Sequence, residues 1–365
     1  MTPNPASAGL VLLAAFPAQA LDFGLPDAGK GNVYGQLSPV WLSFDDGAQS
    51  IGQIVDNNDS NSRIGVLLDW SLDDDARLTF NFETALGFFQ SNQLTMQGLD
   101  GTPWIDWSTE DIRKLELFAR TDAGTFWAGQ GDMATYAVAE FDESGTVVAG
   151  YSDYQAIAGG FAFVQADGTP SQIVISDVFV NLEGSRRFRL RYDSPDRAGF
   201  TLSAAAGNDE LNDKPGTYYD AALRYVNDHG RFHMGGGIGY ALTEKPGESD
   251  SRAVMGSIAV LDRPTGLNTA LAAGRQIDGG SYIYAKLGWI TTFVPAGQTA
   301  LAAEYYGSSG IGFEGSGRSW GLMALQRFDR LSTEFYIGYR HYALTGTSTA
   351  FRDSESFVFG SRWTF

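Results

Sequence analysis

The segment RRFRLRY, residues 186–192, alternates cations with apolar side chains. Successive side chains of a β-strand point to opposite faces, so Arg187, Arg189 and Arg191 share one face and the apolar residues between them share the other. Such a strand requires an apolar environment on one side and water or anions on the other. The chemistry that this pattern indicates is electrostatic: a row of positive charge that acts on polar or charged solutes.

The composition narrows the class of protein that can contain this strand. The chain of 365 residues has a net charge of −18, 45 glycines, 13% aromatic residues and no cysteine. High glycine and aromatic content favours strands and turns. The acidic balance argues against a nucleic-acid partner, because binding phosphates requires a basic surface. The lack of cysteine excludes disulfides and thiolate metal sites.

The first twenty residues have the pattern of an export signal. A short apolar run, Leu10 to Phe16, is followed by Ala18-Gln19-Ala20, a cleavage site of the A-x-A type, although no Lys or Arg precedes the run. We therefore expect residues 1–20 to be a signal peptide and residues 21–365 to be one domain. No other apolar stretch approaches the ~20 residues that a membrane helix needs. If this chain spans a membrane, it does so with strands.

After residue 30, segments of about ten residues alternate polar and apolar side chains, which is typical of membrane barrel strands. The spacers between them alternate between short turns and longer loops, and the longest spacer covers residues 132–184. A soluble β-sandwich also shows alternation, but aromatic residues near the strand ends favour a membrane barrel. The prediction is an all-β fold, a transmembrane antiparallel up-and-down β-barrel. Its sixteen strands are expected to start near residues 31, 62, 76, 111, 123, 185, 197, 217, 230, 251, 264, 281, 297, 317, 331 and 353.

Several short motifs resemble those of the general bacterial porins, and particularly of their alphaproteobacterial branch. They are VYGQ (33–36), NSRIG (61–65), GTFWAGQ (124–130), RYDSP (191–195), AGF (198–200), YAKLG (284–288) and TEFYIGYR (333–340). The resemblance implies a homotrimer in the outer membrane of a Gram-negative bacterium, with a water-filled channel in each barrel. It also implies that the loop 132–184 folds into the lumen and narrows it. Trp363 and Phe365 resemble the terminal signal for outer-membrane assembly. This chain has Gln36 and Gln130 at two positions where the family often has a basic residue.

Strand alternation selects the residues that would line such a channel. Arginine is tolerated on the water-filled side of a barrel wall and is costly on the lipid side. The predicted pore-lining cations are Arg63, Arg77, Lys114, Arg120, Arg187, Arg189, Arg191, Arg224, Lys286 and Arg340. The predicted acids of the constriction loop are Glu140, Asp142, Glu143 and Asp153. Two facing walls of opposite charge would create a transverse field that favours polar solutes.

Other chemistries find little support in the sequence. Asp56, Asp59 and Asn61 have a spacing only loosely like that of a calcium loop, since the required Gly and Glu are absent. The match to G-x-S-x-G at residues 317–321 begins a strand and not the strand-to-helix turn of a hydrolase. We therefore expect no enzyme activity, cofactor or metal.

The leading hypothesis is a pore for passive diffusion of small hydrophilic solutes and ions, in contact with outer-membrane lipid and lipopolysaccharide. The alternatives are a substrate-specific uptake channel for a sugar or an anion and a surface adhesin barrel. The sequence leaves these alternatives open.

Overall fold

The computed structural model describes residues 20–365 except Ala28, Asp213 and Gly312, so nearly all of the predicted signal peptide lies outside the described residues. Two single-turn α-helices are found in this part of the chain, α1 (Gln155–Ala158) and α2 (Ile175–Val178). None of its helices is long and apolar enough to cross a membrane. The strands are β1 (Leu21–Gly24), β2 (Lys30–Leu37), β3 (Pro39–Asp45), β4 (Ser50–Asp56), β5 (Arg63–Ser71), β6 (Arg77–Ala85), β7 (Ile112–Thr121), β8 (Gly124–Asp132), β9 (Ala162–Val164), β10 (Pro170–Val174), β11 (Arg186–Asp193), β12 (Phe200–Asp209), β13 (Lys214–His229), β14 (Phe232–Glu244), β15 (Ser251–Asp262), β16 (Leu267–Gln276), β17 (Ser281–Val294), β18 (Gly297–Ser309), β19 (Ser316–Phe328), β20 (Thr333–Thr345) and β21 (Ser354–Thr364).

The strands form a closed antiparallel barrel. β21 pairs with β20 on one side and with β2 and β3 on the other. β2 and β3 together make one barrel strand, and β4 and β5 make the next one, interrupted by residues 57–62. The barrel therefore has sixteen strand positions, which confirms the predicted fold. β1 pairs with β2 at the end of the barrel that carries the chain termini, and β9 and β10 form a separate hairpin.

All sixteen predicted strand starts lie within three residues of the start of an observed strand. The second predicted start, near residue 62, coincides with β5 and misses β4, which is the first half of the same barrel strand. In the structure β4 occupies residues 50–56, and the connection from β3 has only four residues, 46–49. Two long connections, 86–111 and 133–185, lie at the end of the barrel opposite to the chain termini, which is the external end in barrels of this type.

The two faces of the barrel wall have the polarity that strand alternation predicted. On β17, Ile283 and Leu287 point outward and are 60% and 68% exposed, whereas Tyr284 and Lys286 point inward and are buried. The same alternation of exposed apolar and buried inward residues continues along β18 and β19. A continuous belt of exposed apolar side chains on the outside of a barrel is the surface that faces lipid.

The C-terminal residue closes the barrel against the first strand. The backbone of Phe365 exchanges two hydrogen bonds with Gly35, of 2.9 and 3.0 Å. A Cβ atom at position 35 would lie 2.6 Å from the ring of Phe365 and 2.7 Å from the carbonyl oxygen of Arg63. Glycine is therefore required here, because no side chain fits between the terminal ring and the next strand. The ring of Trp363 lies 5.1 Å from that of Phe365.

The loop 133–185 packs against inward-facing side chains of the barrel. Tyr154 of this loop is fully buried, and its ring lies 4.8 Å from the ring of Tyr306 on β18. Phe161 of the loop stacks on Phe44 of β3 at 4.0 Å. These contacts belong to an apolar cluster that combines the loop with residues of β3, β4, β13 and β15–β21. On this side of the barrel, the inward-facing side chains are consequently buried in apolar packing with the loop.

Candidate functional site inside the barrel

Inward-facing basic side chains of β5, β7 and β11 gather around two carboxylates, Glu83 on β6 and Asp132 on β8. Glu83 is bound by two arginines, whose Nε atoms lie 3.4 and 2.6 Å from its oxygens. Asp132 contacts a lysine and an arginine. The four cations, which we call the basic cluster, are Arg63, Arg113, Lys114 and Arg186. Four cations around two carboxylates leave an excess of positive charge on partly exposed side chains, and such an excess attracts anions.

Arg113, which the sequence analysis did not select, reaches the cluster through a β-bulge. The register between β6 and β7 shifts at this point: Glu83 pairs with Lys114, and the next residue, Thr84, pairs with Ile112. An extra residue in one strand re-aims its side chain, so both consecutive cations contact inward-facing carboxylates. The adjacent Arg113-Lys114 pair is the sequence feature that could have indicated this bulge. In a regular strand one of the two charges would face lipid, which costs about 2–4 kcal/mol near the membrane centre.

Arg186 and Arg362 are two further inward cations that strand alternation did not select. Arg186 begins β11, where alternation no longer fixes the side-chain direction, and its Nη2 donates a hydrogen bond of 2.9 Å to the hydroxyl of Tyr136 in the 133–185 loop. Arg362 pairs with Glu334 at 2.7 Å and donates to Ser60 Oγ at 3.1 Å. Tyr136 therefore joins the loop directly to the basic cluster.

The alternating arginines of β11 lie on the inward face, but their surroundings differ. Arg189 is 3% exposed and its Nη2 lies 2.5 Å from a carboxylate oxygen of Glu116. Arg191 pairs with a carboxylate on its own strand at 2.8 Å. Arg187 has no carboxylate partner in the described part of the chain, and its guanidinium lies 4.0 Å from the ring centre of Tyr218. An open row of three arginines is therefore the wrong description, because the middle one is buried in an ion pair.

Three other predicted pore-lining cations lie beneath the loop. Lys286 is 1% exposed and 2.8 Å from Asp142, and Arg340 is 2% exposed and 2.7 Å from Glu304. Arg224 donates two hydrogen bonds of 2.7 Å to backbone carbonyls at the start of the loop. The prediction that Lys286 and Arg340 face open water is wrong. Their charges are matched by buried carboxylates. The Lys286–Asp142 pair fastens the loop to the wall, whereas Glu304 lies on β18 and Arg340 holds the loop by a hydrogen bond of 3.0 Å to the carbonyl oxygen of Tyr151.

Two of the predicted loop acids also contact the wall. Asp142 forms the ion pair with Lys286, and its side chain is almost fully buried. Glu143 Oε1 lies 3.5 Å from Nε2 of His233 on β14, and Nδ1 of the same imidazole lies 2.7 Å from Asp228. Neither carboxylate is free to face the basic cluster.

The other two acids belong to a group of loop carboxyls that form no ion pair with any described residue. Asn181 donates a hydrogen bond of 2.8 Å to Glu140, and Oδ1 of Asp153 has no hydrogen-bond partner in the described part of the chain. Burial raises the pKa of Glu140 well above its usual range, and neighbouring Glu183 raises it further. Burial also raises the pKa of Asp153 to about 6 and that of Glu183 to about 8. The acidic side of the loop therefore carries less charge at neutral pH than its composition suggests.

The interruption between β4 and β5 projects toward this loop. Asn57 donates hydrogen bonds to the carbonyl of Val148 in the loop, at 2.7 Å, and to the hydroxyl of Tyr336, at 2.6 Å. Gln36, where the family often has a basic residue, donates to the carbonyl oxygen of Ser60 at 2.8 Å and so supports this turn. The wall segment 57–62 thus lies between the loop and the basic cluster, and sequence alternation gave no sign of it.

The remaining predicted residues lie away from this site. Arg77 on β6 and Arg120 on β7 lie opposite each other in the strand register, at the end of the barrel that carries the termini, and both are exposed. Ser319, the central residue of the G-x-S-x-G match, lies within β19 and is 1% exposed. In the part of the chain that the structure describes, no group of three or more His, Asp or Glu side chains is arranged to hold a metal ion.

Comparison with known proteins gives a family and a fold. Residues 6–362 match the family model of Gram-negative porins. The anion-selective porin from Comamonas acidovorans has a TM-score of 0.61 and 13% identity, with 92% of this chain and all of that chain covered. OmpT of Vibrio cholerae has a TM-score of 0.59 and 16% identity over 95% of this chain and all of that one. OmpF of Salmonella typhi, in complex with daunomycin, has a TM-score of 0.57 and 13% identity, covering 94% of this chain and all of the other. A search of curated proteins found no match.

Proposed function

The chain belongs to the Gram-negative porin family, and from this premise we propose a solute path between the basic cluster and the loop carboxyls. As a member of this family it is an outer-membrane channel for passive diffusion. The observation that carries the channel assignment is the polarity of the closed wall: apolar side chains face outward and charged side chains face inward along the strands. Only a wall with lipid outside and water inside is stabilised by that arrangement.

The proposed path runs along β5–β11, where the inward side chains are charged and partly exposed. The opposite side of the interior is filled by the loop 133–185 and its apolar cluster. Tyr136 joins Arg186 on the cationic side and lies close enough to Glu140 for that carboxyl to affect its pKa. The loop therefore narrows the lumen, with Arg63, Arg113 and Arg186 on one side of the path. Because burial raises the pKa values of Glu140 and Glu183, these carboxyls oppose the cationic side only weakly, and the net field favours anions.

We also propose that the channel works as a homotrimer. The external connection 86–111 exposes three large apolar side chains above the membrane belt: Trp104, Ile105 and Trp107 are 50–56% exposed. Apolar side chains of this size in water mark an interaction surface. A second copy of the chain is the partner that a symmetric assembly supplies. A structure of OmpT from Vibrio cholerae, which shares the fold, is described as a trimer form.

Reconstitution into planar bilayers tests the channel and its charge preference together. We expect stepwise, ohmic conductance in groups of three, and a reversal potential in a salt gradient that indicates anion preference. The variant Arg63→Gln tests the path, and Arg231→Gln is its matched control, because Arg231 is an exposed arginine paired with Asp262 at the end of the barrel that carries the termini. A larger shift toward cations for Arg63→Gln than for Arg231→Gln supports the path. Complete absence of conductance would reject the channel.

A further inference from the structure

A separate cavity of about 210 Å³ lies beside the returning arm of the 133–185 loop. Loop residues 133 and 181–185 form one side, and residues of β11 and β13–β16 form the other. Ser251 begins β15 and Gln276 ends β16, so the cavity lies at the external end of the barrel wall. It is distinct from the proposed path at the basic cluster, since it shares none of the four cations.

Arg187 supplies this cavity with a positive charge in a fixed orientation. Its Nη1 donates to Ser185 Oγ at 2.5 Å and to the carbonyl oxygen of Arg186 at 2.7 Å. Tyr218, which also lines the cavity, covers one face of the guanidinium at 4.0 Å. No described carboxylate pairs with Arg187, and its Nη2 makes no hydrogen bond within the described part. A planar guanidinium held in this way is suited to binding a carboxylate.

The two acidic residues in the lining are already bound by the loop. Asp220 accepts hydrogen bonds from the backbone N–H groups of Ala134 and Thr135, at 3.0 and 2.7 Å, and from the Thr135 hydroxyl. Glu183 accepts from two backbone N–H groups nearby, those of residues 137 and 139. These amide groups hold the Asp220 and Glu183 side chains, and neither of them pairs with Arg187 in the described part of the chain. The charge of Arg187 remains available to a solute.

Neutral polar groups line the remainder of the cavity. Thr243, Ser251 and Gln276 face it, and their side chains make no hydrogen bond within the described part of the chain. Leu182 and Ala253 contribute apolar surface. Two hydroxyls and an amide can donate and accept hydrogen bonds. The cavity volume equals that of roughly seven water molecules, which suits a solute with a short carbon chain.

We propose that this cavity is a binding subsite for small hydroxylated organic carboxylates. The carboxylate pairs with Arg187, the solute hydroxyls bond to Thr243, Ser251 and Gln276, and the carbon chain lies on the apolar surface. The inference rests on the proposed function insofar as the bound solute then diffuses through the channel. It adds a solute class and a capture site at the external end of the barrel wall.

Equilibrium binding to the full-length, detergent-solubilised protein tests the subsite without any current. The probe is D-gluconate, with sorbitol as the neutral polyol of the same carbon number, titrated calorimetrically at low, constant ionic strength. We expect saturable binding of gluconate and none of sorbitol. Arg187→Gln should weaken gluconate binding at least tenfold. Ala241→Leu fills the cavity and keeps the charge of Arg187, and it should abolish gluconate binding. Arg252→Gln removes an exposed external arginine that pairs with Asp278 and should change the affinity less than twofold.

The possible results distinguish failure of the subsite from failure of the channel. Equal binding of gluconate and sorbitol, no binding at all, or equal losses in Arg187→Gln and Arg252→Gln would overturn the subsite. Unchanged gluconate affinity in Ala241→Leu would overturn the assignment to this cavity, even if the variant Arg187→Gln failed to fold. A wild-type protein that conducts in bilayers but does not bind gluconate loses only the subsite. One that binds gluconate but does not conduct loses only the channel.

Discussion

Removing the charge of Lys286 should release the part of the loop that Asp142 anchors. The substitution Lys286→Met keeps most of the side-chain length and leaves Asp142 as a buried carboxylate without its cation. In the structure the Lys286 side chain is 0% exposed and that of Asp142 is 3% exposed, and Nζ lies 2.8 Å from Oδ2. The ammonium also donates a hydrogen bond of 2.8 Å to the carbonyl oxygen of Gly150, which would lose this partner as well.

The size of the effect follows from the burial of the pair. Removing one member of a buried ion pair costs about 3–5 kcal/mol, because the other charge remains desolvated. Each 1.4 kcal/mol is a factor of ten in an equilibrium constant, so docking of this part of the loop should weaken by roughly two to four powers of ten. Replacing both members by apolar residues is often neutral. The double variant Lys286→Met/Asp142→Leu should therefore keep the loop docked.

Single-channel recording distinguishes the two variants. Lys286→Met should give a larger and noisier current than the wild type, because the loop segment moves in and out of the path. The double variant should resemble the wild type in both conductance and noise. If Lys286→Met instead left the conductance unchanged and only shifted the reversal potential toward cations, the lysine would face open water and the buried pair would be refuted.

Three further predictions concern charge and assembly. Arg63→Gln combined with Arg113→Gln should shift the reversal potential further toward cations than either change alone, since both arginines bind Glu83; an unchanged potential would count against the basic cluster. Cation permeability should rise between pH 5 and pH 9, because carboxyls with raised pKa values, including Glu183 at about 8, are protonated at low pH and gain negative charge as the pH rises. Glu183→Gln should remove the part of this rise near pH 8, and a pH-independent wild type would contradict the argument. Trp104→Ser with Trp107→Ser should weaken the trimer in light scattering while the conductance of each barrel stays the same; trimers of wild-type stability would exclude this loop from the interface.

Much of the fold was accessible from the sequence, because the repeat that defines it is local. Side chains of a strand alternate with a period of two, so the sequence already assigned Lys286 to the inward side. Turn residues marked most strand ends. The second strand was misread because residues 57–62 interrupt it inside the barrel, and the residues before the interruption lack a clear alternation. At Arg113 the β-bulge breaks the two-residue alternation of side chains, so alternation could not predict that this arginine points inward.

The sequence by itself determined which face of the wall each strand residue occupies, and with it the lipid-facing belt and the inward position of the cations. Only the tertiary structure decided which of those cations contact water. Lys286 and Arg63 both point inward, yet one is sealed beneath a loop carboxylate 144 residues away in sequence and the other remains partly exposed. The physical reason is that alternation depends on a residue's immediate neighbours, whereas burial and charge compensation depend on segments that meet only when the barrel closes around the loop.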